Sequence, residues 1–348
     1  MSALIVHSAR YRIDIGPHVF PTAKYDLVYA ALGRPAAIDP RAATWEELAL
    51  VHTLDYLEKM RTGSMSDEDI AQLELPWSAE MVDGFRVMVG GTIQAALFAS
   101  GLEVGNSKFE VGSSKSEGRS SKSEVGRSKS EVGSSNFRVA AHIGGGLHHA
   151  FPDHGEGFCP FNDVAVAARV LQRHGVERIA IIDLDVHHGN GTAFIFESDP
   201  RVFTLSMHQQ HNYPLWKPRG SLDIGLPDGA HDATFLRELE RALPKVVAHR
   251  PGCVFYLAGA DPYEDDQLGG LRLTKEGLRR RDIMVFEAVR AAGVPLVVTL
   301  AGGYARRLED TVAIHVATIE EAMRPDPPVR LPAPPPGDRD RPASSDER

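Results

Sequence analysis

Four ionisable side chains stand where a buried strand would be expected to end in a turn. Residues 179–182 read Ile-Ala-Ile-Ile, and Asp183, Asp185, His187 and His188 follow with no turn residue between. A buried carboxylate is costly unless it is paired or binds a metal. The i, i+2, i+4 spacing of Asp183, Asp185 and His187 predicts that an extended chain carries all three on one face. Carboxylate with imidazole favours a borderline divalent ion, Zn²⁺ or Fe²⁺, over Ca²⁺ or Mg²⁺. Such a site needs a third protein ligand and an open position. Asp261, in the segment GADP at 259–262, is the natural candidate. A plain polar pair near a loop is the alternative reading of Asp185 and His187, and it leaves Asp261 unexplained.

Other reactive groups collect in the same way. His148 and His149 follow three glycines, and a loop can turn both toward one point. Histidine near its neutral pKa is the usual general base or acid, and it is normally oriented through its second ring nitrogen. Asp183 is available for one of the pair and Asn190 for the other. Tyr304 closes AGGY, where its phenol can donate to a developing oxyanion.

These groups need elements to place them. Five apolar runs, at 138–143, 178–183, 201–206, 253–258 and 295–300, read as strands covered on both faces. Helical patterns fall at about 161–174, 233–249, 274–292 and 309–323. The first hundred residues read as helix and loop with an extra strand near 4–7. Alternating strand and helix predicts an α/β fold: one three-layer domain with a central, mainly parallel sheet flanked by helices. Ligands bind at the carboxyl ends of such strands. The five ends here carry GGGLHHAF, LDVHHGNG, MHQQHNYP, GADPYEDD and AGGY, and together they make a site.

Composition narrows the function. A formal charge of −9 over 348 residues argues against a nucleic-acid binder held by phosphate contacts. Cys159 and Cys253 cannot build a disulfide framework, which suits a cytoplasmic protein. The first residues lack the pattern of a signal peptide, and no apolar run is long enough to predict a membrane span. A seven-residue repeat occupies 100–134, with units such as SKSEVGR. It lacks an apolar a/d seam, so a flexible insertion is expected rather than a coiled coil. Residues 324–348 read as a Pro-rich, disordered tail. The catalytic domain is then 1–323, interrupted by the repeat.

Taken together, the segments GGGLHHAFPDHGEGFCPFNDVAVA, DLDVHHGNGT, GADPYEDDQLG and LAGGY resemble the histone deacetylase superfamily. HVFPTAKY and ATWEELALVHTLDYLEKM extend the resemblance toward the amino end. LDIGLPDGAHDATFL and LTKEGLRRRD are most similar to bacterial members close to the class IV deacetylases. The resemblance implies an arginase-like fold and hydrolysis of the acylated ε-amine of lysine, in a protein or peptide, or of a similar small amine. It implies Zn²⁺, with Fe²⁺ as an alternative, on Asp185, His187 and Asp261. His149 would be general base and then acid, oriented by Asn190, with His148 its companion paired to Asp183. Tyr304 would polarise the carbonyl. Gly157 and Phe158 would line the substrate channel, opposite Tyr213. A structural K⁺ is implied near Asp183 and Ser206.

Two rivals stay open. Small-molecule relatives that act on acetylpolyamines often carry an acidic gatekeeper. The matching position here is near the apolar Leu268, although Glu264, Asp265 and Asp266 lie close by. The other rival is a non-catalytic acyl-lysine-binding protein that kept the fold. The resemblance does not specify an oligomeric state.

Overall fold

The computed structural model describes residues 3–102 and 138–325. Among them, seven strands form one sheet: β1 (Leu4–Val6), β2 (Val139–His142), β3 (Ile179–Asp183), β4 (Val202–Gln209), β5 (Leu222–Leu226), β6 (Cys253–Leu257) and β7 (Leu296–Thr299). Their order is β1-β2-β7-β6-β3-β4-β5, and every neighbouring pair is parallel. The sheet is thus wholly parallel among the described residues, beyond the expected mainly parallel one. Strands β2, β3, β6 and β7 are buried along their whole lengths, as unbroken runs of Val, Ile, Leu and Ala require.

Helices cover both faces. On one lie α5 (Ala79–Ala99), α6 (Asp163–Arg173) and α7 (Asn190–Phe196), packed in succession. On the other lie α1 (Lys24–Ala31), α8 (Asp232–Ala248), α9 (Lys275–Ala291) and α10 (Leu308–Ala322). Shorter helices α2 (Trp45–Leu48), α3 (Leu54–Thr62) and α4 (Asp67–Leu73) complete the amino-terminal part. Each starts on a Ser or Thr cap, and α2 and α4 carry full capping boxes. None of the described helices is long and apolar enough to cross a membrane. Both cysteines are free and buried.

Three elements depart from expectation. Strand β5 has no counterpart in the sequence reading: LDIGL is half exposed along its length and holds an Asp and a Gly, so it lacks an apolar run. Strand β4 continues past residue 206 through Met207, His208 and Gln209, all buried. The short helix α7 begins at Asn190, inside a stretch rich in Gly and His.

Nearly all of the repeat and of the tail lies outside the described residues. The first residues of the repeat, 100–102, are described, and a Cβ on Gly101, at φ +70°, would overlap the guanidinium of Arg138, which places the start of the repeat near the amino end of β2. That is the edge opposite the strand ends bearing the reactive groups. Shortening a loop is cheap, about 0.6 kcal/mol per halving, and usually favourable. Removing residues 105–134 is therefore expected to leave turnover unchanged and the melting temperature unchanged or slightly raised. A large loss of turnover in a folded deletion protein would contradict this.

Candidate active site

Asp185, His187 and Asp261 bring one ligand atom each to within 4.8 Å of one another, and all three are buried. Adjacent central strands supply them. β3 pairs with β6, and the chain leaves each at the same edge of the sheet. Asp183, Asp185 and His187 do not share one face of a strand, because β3 ends at Asp183. There the Asp183 Oδ1 accepts the Asp185 N–H (3.2 Å), and Asp185 Oδ1 accepts the His187 N–H (3.0 Å). Two successive aspartate turns bend the chain and aim Asp185 and His187 at Asp261. Asp183 is left facing elsewhere.

The cluster suits a divalent cation. Asp261 Oδ1 accepts the Val186 N–H (2.9 Å), but its Oδ2 has no hydrogen-bond partner among the described residues and lies 3.4 Å from His187 Nδ1. Burial, and then Asp185 beside it, push the Asp261 carboxyl up to about 7. Two buried carboxylates of which one oxygen is orphaned need positive charge. Glycines make room for them. A Cβ at Gly302 would overlap the Asp261 and Asp185 carboxylates, while its N–H donates to Asp185 Oδ2 (2.8 Å).

The paired histidines sit on the loop after β2. That loop hangs from the start of α6: Asp163 accepts N–H groups of Gly146 and Leu147 at 3.1 and 2.7 Å. Asn162 caps the helix and donates to the carbonyls of His148 and Ala150. The rings of His148 and His149 stand 4.1 Å apart. His148 Nδ1 bonds Asp183 Oδ2 (2.7 Å) and His149 Nδ1 bonds Asn190 Oδ1 (2.7 Å), the pairing that the family resemblance implies and that residue types alone left open. Burial works against protonating either ring. Asp183 and Asp185 outweigh it at His148, which is raised to about 9. At His149 nothing does, and the neighbouring histidines lower it further. One histidine is set to be a cation and its neighbour a neutral base.

A cavity opens from this point. His149, His187, Gly157, Phe158, Tyr213, Leu268 and Tyr304 all line it. Gly157 and Phe158 form a tight turn with φ of +54° and +66°. Glu156 and Cys159 close it, exchanging both backbone hydrogen bonds at 3.2 and 2.9 Å. A Cβ at Gly157 would stand 2.7 Å from the His149 ring, so the turn requires Gly there. Tyr213 meets His149 edge-on at 5.1 Å. Tyr304 donates its backbone N–H to Asp266 Oδ2 (2.7 Å) and packs on Phe158. Ser206 stands opposite Asp183 in the β3–β4 register, and its hydroxyl bonds His208.

Two carboxylates escaped the sequence reading. Glu74, in left-handed conformation just after α4, lines the cavity. Glu156 accepts from Asn190 Nδ2 (2.6 Å) and from the Tyr213 hydroxyl (3.0 Å). An acid between two glycines, in a loop expected to carry catalytic groups, is the one signal the sequence offers for Glu156. The acidic run near Leu268 lies elsewhere than expected. Asp266 is buried and turned inward onto the N–H groups of Leu268, Gly269 and Tyr304, and Asp265 pairs with Arg306.

Comparison with known proteins agrees with this geometry. Residues 18–319 match the family model described as histone deacetylase domain. A protein of Picosynechococcus, itself uncharacterised, is 38% identical over 306 residues, covering 86% of this chain and 90% of its own. The acetoin utilization protein AcuC of Bacillus subtilis is 30% identical over 285 residues, covering 74% of this chain and 65% of its own. The crystal structure of an HDAC homolog from Aquifex aeolicus aligns with a TM-score of 0.71 at 25% identity, covering 94% of this chain and 86% of that one.

The charges of the site predict a pH signature for the metal-stripped protein. His148 is raised to about 9 by Asp183 and Asp185, and His187 to about 10 by Asp185 and Asp261, in both cases against burial. Both lie above their ordinary 6.5, so the stability they lend is complete below that pH and lost as pH rises through 9 and 10. Asp261, held near 7, adds a loss of the same sign on the acid side of that range. Calorimetry in chelator should show melting temperature falling from neutral pH to pH 10, and falling less with Zn²⁺ present. A metal-free protein as stable at pH 10 as at neutrality would contradict these charges.

Proposed function

The chain belongs to the histone deacetylase family, and on that premise we propose that it is a zinc-dependent amidohydrolase removing acetyl or longer acyl groups from the ε-amine of lysine. The observation that carries the proposal is that the buried cluster of Asp185, His187 and Asp261 shares His187 with the cavity lined by His149 and Tyr304, while His148 and Asp185 line the small pocket behind it. Phe158 and Tyr213 in the cavity lining suit the aliphatic stem of lysine.

Asp185, His187 and Asp261 would hold the ion, with Fe²⁺ as the alternative. When bound it would supply a Lewis acid for the amide carbonyl and lower the pKa of the attacking water. The chain's own groups do the rest. His149, neutral and held through Nδ1 by Asn190, presents Nε2 to take a proton from the water. It returns that proton to the leaving nitrogen as the C–N bond breaks, so that amide and water become carboxylic acid and amine, and the acid's remaining proton passes to the amine to leave carboxylate and ammonium. His148, kept cationic by Asp183, offsets the negative charge that develops beside it. The Tyr304 hydroxyl donates to the carbonyl oxygen as it becomes an oxyanion. A structural K⁺ among the backbone carbonyls of 183–187 and the Ser206 hydroxyl would brace the same loop.

One observation favours a second reading. Glu74 lines the cavity and could receive the distant ammonium of an acetylpolyamine. Fully exposed Leu215 and largely exposed Trp216, on the loop that carries Tyr213, favour a larger, partly apolar substrate instead.

The test is turnover by the Zn²⁺-loaded protein of acetyl- and longer acyl-lysine peptides beside an acetylpolyamine. Peptide cleavage should be faster, and Tyr304→Phe should lower kcat by about 10²–10³. Faster polyamine cleavage that Glu74→Gln removes would establish the second reading. Peptide binding without turnover on any of them would leave a non-catalytic binding protein.

A further inference from the structure

Behind the Tyr213 wall of the cavity stands a carboxylate that the reaction does not consume. We propose that Glu156 is a positioning residue: it fixes the proton of His149 through Asn190, and the same carboxylate oxygen anchors the Tyr213 wall of the substrate channel. Glu156 Oε1 accepts from Asn190 Nδ2 at 2.6 Å and from the Tyr213 hydroxyl at 3.0 Å. Its Oε2 accepts from Gln72 Nε2 at 3.4 Å and lies 3.5 Å from His154 Nε2. Its backbone is closed into the same turn that presents Gly157 and Phe158.

The argument turns on what each group can donate. A side-chain amide can face either way, and an imidazole can carry its proton on either nitrogen. An ionised carboxylate can only accept. Half-burial opposes ionisation of Glu156, but hydrogen bonds from His154, Asn190, Tyr213 and Gln72 outweigh it and hold the group below the ordinary carboxylate value. Asn190 must therefore give Glu156 its N–H and turn its oxygen to His149. That oxygen, 2.7 Å away, can only accept, so the His149 proton sits on Nδ1 and Nε2 is left free toward the reacting atoms. Glutamine at 156 could donate as well as accept. The amide would then be free to flip and the tautomer to change, although size and shape are kept.

The test uses the full chain loaded with Zn²⁺ and ¹⁵N-labelled histidine, with the His149 signals assigned against His149→Ala. The wild type should show His149 as the Nδ1–H tautomer. In Glu156→Gln the Nε2–H form should appear and kcat should fall about 10–100-fold, the usual effect of losing an outer partner of this kind. Asn190→Asp added to Glu156→Gln should restore most of kcat and the Nδ1–H signal, because a carboxylate at 190 accepts directly from His149. A wild type with the proton on Nε2 overturns the proposal, even if the variants fail to fold. So does a Glu156→Gln protein with unchanged tautomer, or a folded double variant no better than Glu156→Gln. Only the kcat readings rest on the deacylase reading. A wild type that turns over no substrate defeats that reading and leaves the spectra to decide this one.

Discussion

Charge burial at the middle of the sheet is the constraint around which the rest is arranged. Asp185 and Asp261 leave adjacent central strands, and both are fully shielded from water. Ionised carboxylates in such a place persist only with donors and cations around them. The chain supplies N–H groups from Val186, His187 and Gly302 and the imidazole of His187. Further back, the buried Arg281 donates to the Gly259 carbonyl (2.6 Å) and pairs with Asp282, so the backbone that carries Asp261 is itself held by charge. Among the described residues Asp261 Oδ2 has no hydrogen-bond partner, an arrangement that suits a divalent ion.

The same constraint explains the distribution of glycine. Gly302 and Gly157 each stand where a Cβ would overlap a side chain of the site, the Asp261 and Asp185 carboxylates in one case and the His149 ring in the other. Close approach lets backbone donors reach the carboxylates and lets the channel wall rest on the His149 ring. Tyr213, in the opposite wall of the cavity, gives its hydroxyl hydrogen to the same Glu156 oxygen that accepts from Asn190, so one acid joins the cavity wall to the partner of His149.

Much of this was legible in the sequence because burial writes itself in unbroken apolar runs. β3, β6 and β7 read correctly for that reason, and the polar groups at their ends stood out against them. Asp185, His187 and Asp261 could be assembled from residue type and strand position alone. β5 could not, since an edge strand exposed on alternate residues needs no apolar run. Nor could the bend at Asp183: alternate spacing predicts a shared face only while the chain stays extended, and side chains bonding to N–H groups two residues on ended the strand. Glu74 was hidden in a region read only coarsely, and its place at the cavity depends on how α4 docks. Glu156 lay in plain view within GEGFC, but its partners Asn190 and Tyr213 are 34 and 57 residues away. The family match over 18–319 supports the resemblance seen in those motifs.

The most direct test of this account is calorimetric titration of Zn²⁺ into the metal-stripped protein and two variants, in buffers of different ionisation enthalpy. The account predicts one ion per chain with release of protons, lost in Asp261→Asn and retained in Asp183→Asn, whose side chain serves His148 instead. Unchanged binding in Asp261→Asn, or loss only in Asp183→Asn, would mean that the buried cluster is not the metal centre.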